Sequence, residues 1–308
     1  MQNPLDISHE ISSALNRNQP VVALESSVIA QGLPSPANIE TALAMEQAVK
    51  NAGAMPATIG VIDGKIRVGL TEDEIKKLAE GKAAKLAVRD IPYSLAKKID
   101  GGTTVSATAR IATIAGIPVM ATGGIGGVHR GASDTFDISA DLWELARTPI
   151  LVVCSGAKAV LDIHATAEWL ETHGVPVYGY GTTELPAFYS TSTGISIPKV
   201  DDADELAEVL KLSGSAVGAR CAAIIAVPVP QSDEVLAAEH IEKAIHEASE
   251  KGIKGKQLTP YLLNRVGELT DGKSTKSNIS LLINNAKVAA EIACALNAEH
   301  DRRMGFVV

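Results

Sequence analysis

Between residues 120 and 158 the chain gathers the side chains that acid–base and covalent chemistry require. His129, Arg130, Asp134, Asp137 and Asp141 follow one another, the last two spaced i, i+4, and Lys158 closes the stretch. They are preceded by a loop with five glycines in the nine residues after Thr122, whose backbone N–H groups can approach an anion without Cβ bulk. With residues 138–147 helical, Asp137 and Asp141 share a face near the helix start. Carboxylates there either complement the helix dipole or hold a hard cation such as Mg²⁺ or Mn²⁺ through several waters. Lys158 follows an apolar strand at 150–154 and a Ser-Gly-Ala turn. It is expected at the N-terminus of the next helix, where the dipole and partial burial would favour the neutral amine that imine chemistry uses. Glu25 ends another apolar run, and acids at the carboxyl ends of buried strands lie where open α/β sheets collect ligands. For each group the residues leave a structural alternative open: a capping glutamate, a satisfied histidine, a solvated lysine.

Apolar strands alternating with helices must position these groups. Strands are expected at residues 21–24, 57–62, 65–70, 86–89, 118–121, 150–154, 176–180 and 222–227. Helices are expected at 7–16, 37–52, from 71, and at 103–115, 159–173, 202–212, 234–251, 260–269 and 278–296. Asp63-Gly64 between two apolar runs marks a hairpin with a primed turn, and Thr71 with Glu74 a capping box. The strand at 86–89 brings Lys85, Arg89 and Asp90 together, either around a phosphate or as solvated charge. Residues 186–198 read as a polar loop serving as a lid or subunit contact. The pattern predicts an α/β sheet flanked by helices with a helix-rich C-terminal part, in a single domain over 1–308.

Composition narrows the function. Aromatic residues are 3% of 308, so the core must be built from Ala, Val, Ile and Leu, and base-stacking platforms for single-stranded nucleic acid are lacking. A net charge of −8 without a basic cluster makes nucleic acid an unexpected partner and leaves a small phosphorylated ligand open. Cys154, Cys221 and Cys294 have no metal spacing and read as small core residues. With no apolar N-terminal region and no stretch approaching a membrane span, a cytoplasmic protein without a membrane partner is expected. The glycine loop matches neither the Rossmann fingerprint nor the Walker motif.

The segments VVALESSVIAQGLP (21–34), ATGGIGGVHRGASDTFDISADL (121–142), VVCSGAKAVLD (152–162) and KSNISLLINNAKVAAEIA (276–293) resemble the pseudouridine-5′-phosphate glycosidase family over roughly residues 20–296. The resemblance implies a three-layer α/β/α fold with a central mixed sheet, assembled as a homotrimer. It implies reversible cleavage of the C–C glycosidic bond of pseudouridine 5′-phosphate to uracil and ribose 5-phosphate, in pseudouridine degradation. It places the nucleophile at Lys158, the proton donor at Glu25 and the metal, Mn²⁺ with Mg²⁺, Fe²⁺ or Co²⁺ as alternatives, at Asp137. It gives substrate contacts to Lys85, Val105, Ser139, Ala140 and Asp141, and base contact to Asn278; His129 falls in the same stretch and joins the substrate contacts. Two rivals stand beside it: a Schiff-base aldolase acting on a sugar phosphate, which would release no uracil, and a non-catalytic sugar-phosphate binding module.

Overall fold

Short apolar runs buried on both faces, such as Val21–Leu24, Leu151–Cys154 and Ala223–Ala226, demand strands covered by helices on both sides. The computed structural model, which describes residues 4–304 apart from 217 and 219, meets that demand. Its strands along the chain are β1 Leu5–Ile7, β2 Val21–Leu24, β3 Met55–Ile62, β4 Lys65–Val68, β5 Ala84–Leu86, β6 Gly101–Thr103, β7 Val119–Ala121, β8 Leu151–Cys154, β9 Val177–Tyr180, β10 Lys199–Val200 and β11 Ala223–Ala226. They form one sheet in the order β1-β4-β3-β2-β7-β8-β11-β9-β10, with the β5–β6 ribbon attached to β3 through β6. The sheet is mixed: β3 runs antiparallel to β4 and to β6, and the other pairs are parallel.

Helix Lys273–Met304 packs on helices Ala37–Asn51 and Ala203–Ala216 and on β2, β7 and β8, while helices Val105–Ala115 and Ala140–Leu145 pack together on the other face. The architecture is the three-layer α/β/α arrangement with a central mixed sheet. From β2 the chain moves outward to β3, and from β7 it moves outward the other way to β8. The β2–β7 seam is therefore the topological switch point, where open α/β sheets bind ligands beyond the carboxyl ends of the strands.

Local signals are realised at several elements. The hairpin turn has Asp63 at φ 50° and Gly64 at φ 76°, both left-handed, as a primed turn requires. Thr71 and Glu74 cap the helix Glu72–Ala79 reciprocally. Other expectations are corrected. The strand at 86–89 is β5, ending at Leu86, and Val88–Asp90 forms a 3-10 turn. The helix at 138–147 is only Ala140–Leu145, and that at 159–173 is Ile163–Thr172. In both cases the preceding residues form backbone bonds with the glycine loop instead of continuing a helix: Ser139 N–H donates to Gly127 C=O and Asp162 N–H to Val128 C=O. The loop at 186–198 is not simply polar and exposed, because Phe188 and Tyr189 are buried. By length and apolarity, residues Lys273–Ala298 could cross a membrane, contrary to the expectation that no stretch comes near one. That helix is apolar where it packs against β2, β7 and β8 and against the helices Ala37–Asn51, Ala203–Ala216 and Leu258–Leu269.

Candidate active site

Glu25 leaves the end of β2 and reaches across the switch point to the end of β7, where Thr122 donates its hydroxyl to Glu25 Oε1 at 2.7 Å. Ser27 donates to the other carboxylate oxygen at 3.2 Å. The carboxyl is 4% exposed, and burial pushes its pKa above the ordinary carboxylate value. Lys158 and the two hydroxyls oppose that rise without cancelling it, and Asp141 adds to it. Burial thus favours the protonated form of Glu25 more than that of a solvated glutamate.

Lys158 is delivered by β8. Beyond the strand end the chain continues in register with the glycine loop: Ser155 N–H bonds to Gly123 C=O at 2.9 Å, Ile125 N–H to Gly156 C=O at 3.1 Å, and Lys158 N–H to Ile125 C=O at 3.1 Å. Residues 159–162 then separate Lys158 from the helix Ile163–Thr172, whose N-cap is Asp162. The expected helix N-terminus at Lys158 is corrected, and with it the dipole argument, since that field fades within one turn. What the fold does supply is a fixed backbone and a neighbouring carboxyl.

The glycine loop is tied down within the protein at four of its N–H groups. Its N–H groups at Ile125, Gly126, Val128 and His129 donate to Gly156 C=O, Asp141 Oδ2, Thr166 Oγ1 and Asp137 C=O. A Cβ on Gly126 would sit 2.1 Å from Ser139 Oγ, so glycine is needed there for close approach to the Ser139–Asp141 turn. Asp141 accepts from Gly126 N–H and Ser106 N–H, each at 2.9 Å, one per carboxylate oxygen. It clamps the loop to the start of helix Val105–Ala115. Asp137 lies outside the helix Ala140–Leu145, so the shared helix face expected for Asp137 and Asp141 does not exist. A bridge between Val128 and Ile138 instead folds residues 129–137 back, setting Asp137 beside His129. Burial lowers the His129 pKa, Lys85 and Lys158 push the same way, and Asp137 opposes them; neutral imidazole is favoured near neutrality.

Two connected spaces meet at this point. One is apolar, lined among others by Val28, Gly123, Gly124, Phe188, Leu282 and Asn278. The other is a polar cleft of about 310 Å³, lined by Arg89, Thr104, His129, Asp137, Ser139, Ala140 and Asp141 among others. Glu25, Ser27, Lys85, Lys158 and Thr259 line both. The anticipated residues Glu25, Lys85, His129, Asp137, Ser139, Ala140, Asp141, Lys158 and Asn278 are therefore brought together. Val105 lines neither space: it is fully buried, and its neighbour Thr104 lines the polar cleft. Arg130 and Asp134 are exposed outside it, Arg130 paired with Glu242. Cys154, one step before Ser155, is buried with its thiol pushed up to about 12 and is inert packing. Cys221 and Cys294 are only partly buried.

Thr122, Thr259 and Phe188 escaped the sequence reading, because nothing local marks a strand-end threonine or a loop phenylalanine as facing a site. No group of three or more His, Cys, Asp or Glu positioned for a metal occurs among the described residues. With both Asp141 oxygens committed to backbone, Asp137 lines the polar cleft together with the carboxyls of Glu25 and Asp90. One carboxylate fits a hard divalent ion that keeps most of its waters, and does not make a protein cage.

A mixed α/β sheet with an acid and a lysine lining a cleft at its switch point is the arrangement of an enzyme that acts on a small molecule. A family model described as indigoidine synthase A like protein matches residues 10–295. The chain is 52% identical over 303 residues to pseudouridine-5′-phosphate glycosidase of Clostridium botulinum, covering 96% of this chain and 98% of that one. The corresponding enzyme of Caldanaerobacter subterraneus is 51% identical, with the same coverage. Among solved structures, prealnumycin C-glycosynthase in complex with ribulose 5-phosphate superimposes with a TM-score of 0.89 at 40% identity, over 97% of this chain and 99% of that one. An indigoidine synthase A-like protein of Thermotoga maritima gives 0.88 at 33% identity, over 96% and 98%. The chain belongs to the indigoidine synthase A-like family, among its pseudouridine-5′-phosphate glycosidases, and is a C-glycosidase enzyme.

Proposed function

We propose that this enzyme reversibly cleaves the C–C glycosidic bond of pseudouridine 5′-phosphate, giving uracil and ribose 5-phosphate, as a step of pseudouridine degradation in the cytoplasm. The observation that carries the reading is the placement of Glu25 and Lys158 on the wall shared by an apolar pocket and a polar cleft. A flat pyrimidine suits the first space, lined by Phe188, Leu282 and Asn278. A ribose phosphate suits the second, where Lys85 and Arg89 contribute positive charge for the phosphate and Thr104, Ser139 and neutral His129 contribute polar atoms for the sugar. The anomeric carbon then falls between Glu25 and Lys158.

A carbon leaving group cannot be expelled by protonating a heteroatom, as ordinary glycosidases do. Lys158 instead attacks C1′ as the C1′–O4′ bond breaks and Glu25 gives its proton to O4′, opening the ribose. Glu25 takes back the proton shed by the attacking nitrogen and is placed to return it at C5 of the base. The nitrogen lone pair then forms the iminium as the C1′–C5 bond breaks and uracil departs. Water hydrolyses the iminium, releasing ribose 5-phosphate and restoring the amine. The raised pKa of Glu25 supports this proton-donor role. Asp137 is the residue that would hold Mn²⁺, or Mg²⁺, Fe²⁺ or Co²⁺, through waters; such an ion supplies a template that orders water and substrate oxygens. The single α/β/α unit is proposed to assemble as a homotrimer, for which exposed Phe136, Ile138 and Trp143 beside the cleft offer apolar surface.

Borohydride trapping with pseudouridine 5′-phosphate and Mn²⁺, followed by peptide mapping, tests the reading. A reduced ribose-phosphate adduct on Lys158 with free uracil in solution is expected. Uracil without an adduct would remove the covalent step, and a folded, metal-loaded enzyme releasing no uracil would remove the substrate.

A further inference from the structure

The base side of the site contains a polar atom that the mechanism leaves unused. Gln31 lies in the π-helical turn Val28–Gly32, which begins three residues after Glu25. It lines the apolar pocket together with Asn278, Gly123 and Phe188. A π turn closes i to i+5, here Leu33 N–H to Val28 C=O at 3.1 Å. Such turns are frequent at functional sites because the wider turn re-aims the side chains it carries. The Gln31 amide has a fixed orientation: its Nε2 donates to Ala83 C=O. The flipped amide would set two carbonyl oxygens against each other. This leaves Gln31 Oε1 buried with no hydrogen-bond partner in the protein. An acceptor buried unpaired is costly, so such atoms are rare in folded proteins and call for an explanation. On a pocket wall, a ligand donor supplies one.

A pyrimidine dione carries two kinds of edge group, carbonyl acceptors and N–H donors. When the sugar is attached through carbon, both ring nitrogens keep their hydrogens; attachment through nitrogen removes one. We propose that Gln31 Oε1 accepts a ring N–H of the pyrimidine, making Gln31 a base-reading residue of the apolar pocket. The inference rests on the reaction proposed above. It adds a contact that would favour a carbon-linked over a nitrogen-linked pyrimidine nucleotide if the N–H read is the one that distinguishes them.

The test compares wild type with Gln31→Met on pseudouridine 5′-phosphate and on its N1-methyl and N3-methyl derivatives, following release of the base. In the synthetic direction, KM for uracil and for ribose 5-phosphate is measured separately. One of the two methyl groups is expected to lower wild-type kcat/KM at least threefold to tenfold, the range of one neutral hydrogen bond. Gln31→Met should lose a similar factor on the parent substrate and no longer penalise that methyl further. KM for uracil should rise while KM for ribose 5-phosphate stays put. A variant that penalises both methyl groups as wild type does, or that raises both KM values together, overturns the proposal and leaves Gln31 a structural role. If Gln31→Met fails to fold, the wild type decides alone: equal rates on all three substrates overturn it. Wild type releasing no base from the parent refutes the underlying reaction, an outcome distinct from any result at Gln31.

Discussion

Glu25 and Lys158 share one wall, and the residue scale is where their demands can be separated. Because burial raises the Glu25 pKa above 4.5, proton binding favours the native state below that value, and the contribution is lost as pH rises through the folded pKa. Above it the ionised carboxylate is a burial cost. Glu25→Gln should therefore raise the urea midpoint at mildly alkaline pH and change it little in acid. The same variant should lower kcat by roughly two to four orders of magnitude, the usual worth of a general acid. Equal midpoints at both pH values would show that the carboxyl is not desolvated in solution. Lys158→Ala should abolish turnover and borohydride trapping while leaving the circular dichroism spectrum unchanged; near-normal turnover would end the lysine mechanism. Chelation should reduce activity and Mn²⁺ restore it, with Asp137→Ala needing more Mn²⁺ for half-maximal rate.

At the scale of elements, the site depends on bonds that tie strand ends together. Asn285, fully buried on the helix Lys273–Met304, donates to Thr122 C=O at 2.9 Å and to Ser155 Oγ at 3.1 Å. It thereby holds the ends of β7 and β8, from which Thr122 and Lys158 are presented. Asn285→Ala should cost about 1–3 kcal/mol, the desolvation of the groups left unpaired, read from urea denaturation. It should also lower kcat more than it raises KM. Gly156 adopts φ 77°, and a Cβ there would lie 2.0 Å from Pro186 C=O. Gly156→Ala should displace the segment whose Phe188 N–H bonds to Ser155 C=O at 2.8 Å, with loss of activity. Wild-type kinetics in that variant would show the contact to be dispensable.

At the scale of the whole molecule, the switch point between β2 and β7 decides where these bonds converge, and the proposed homotrimer should scatter light with three times the mass of one chain. A monomer that retains full activity would rule the assembly out as a requirement. The sequence by itself determined the alternation of apolar strands and helices, the Asp63-Gly64 turn and the Thr71 capping box, because these depend on neighbours a few residues apart. It also determined the candidacy of Glu25, His129, Asp137 and Lys158, since their residue types stand at strand ends or beside glycines. Tertiary structure decided which of them meet. Thr122 lies 97 residues from Glu25 in the chain yet donates to its carboxylate, and Asn285 joins the ends of two strands from a helix more than a hundred residues away. It also decided that N–H groups of the glycine loop bond to Asp141 and Thr166, and that no helix begins at Lys158. Local pattern could not foresee either outcome, because a backbone N–H takes whichever acceptor the fold brings within reach, and burial of that pair removes water as the alternative.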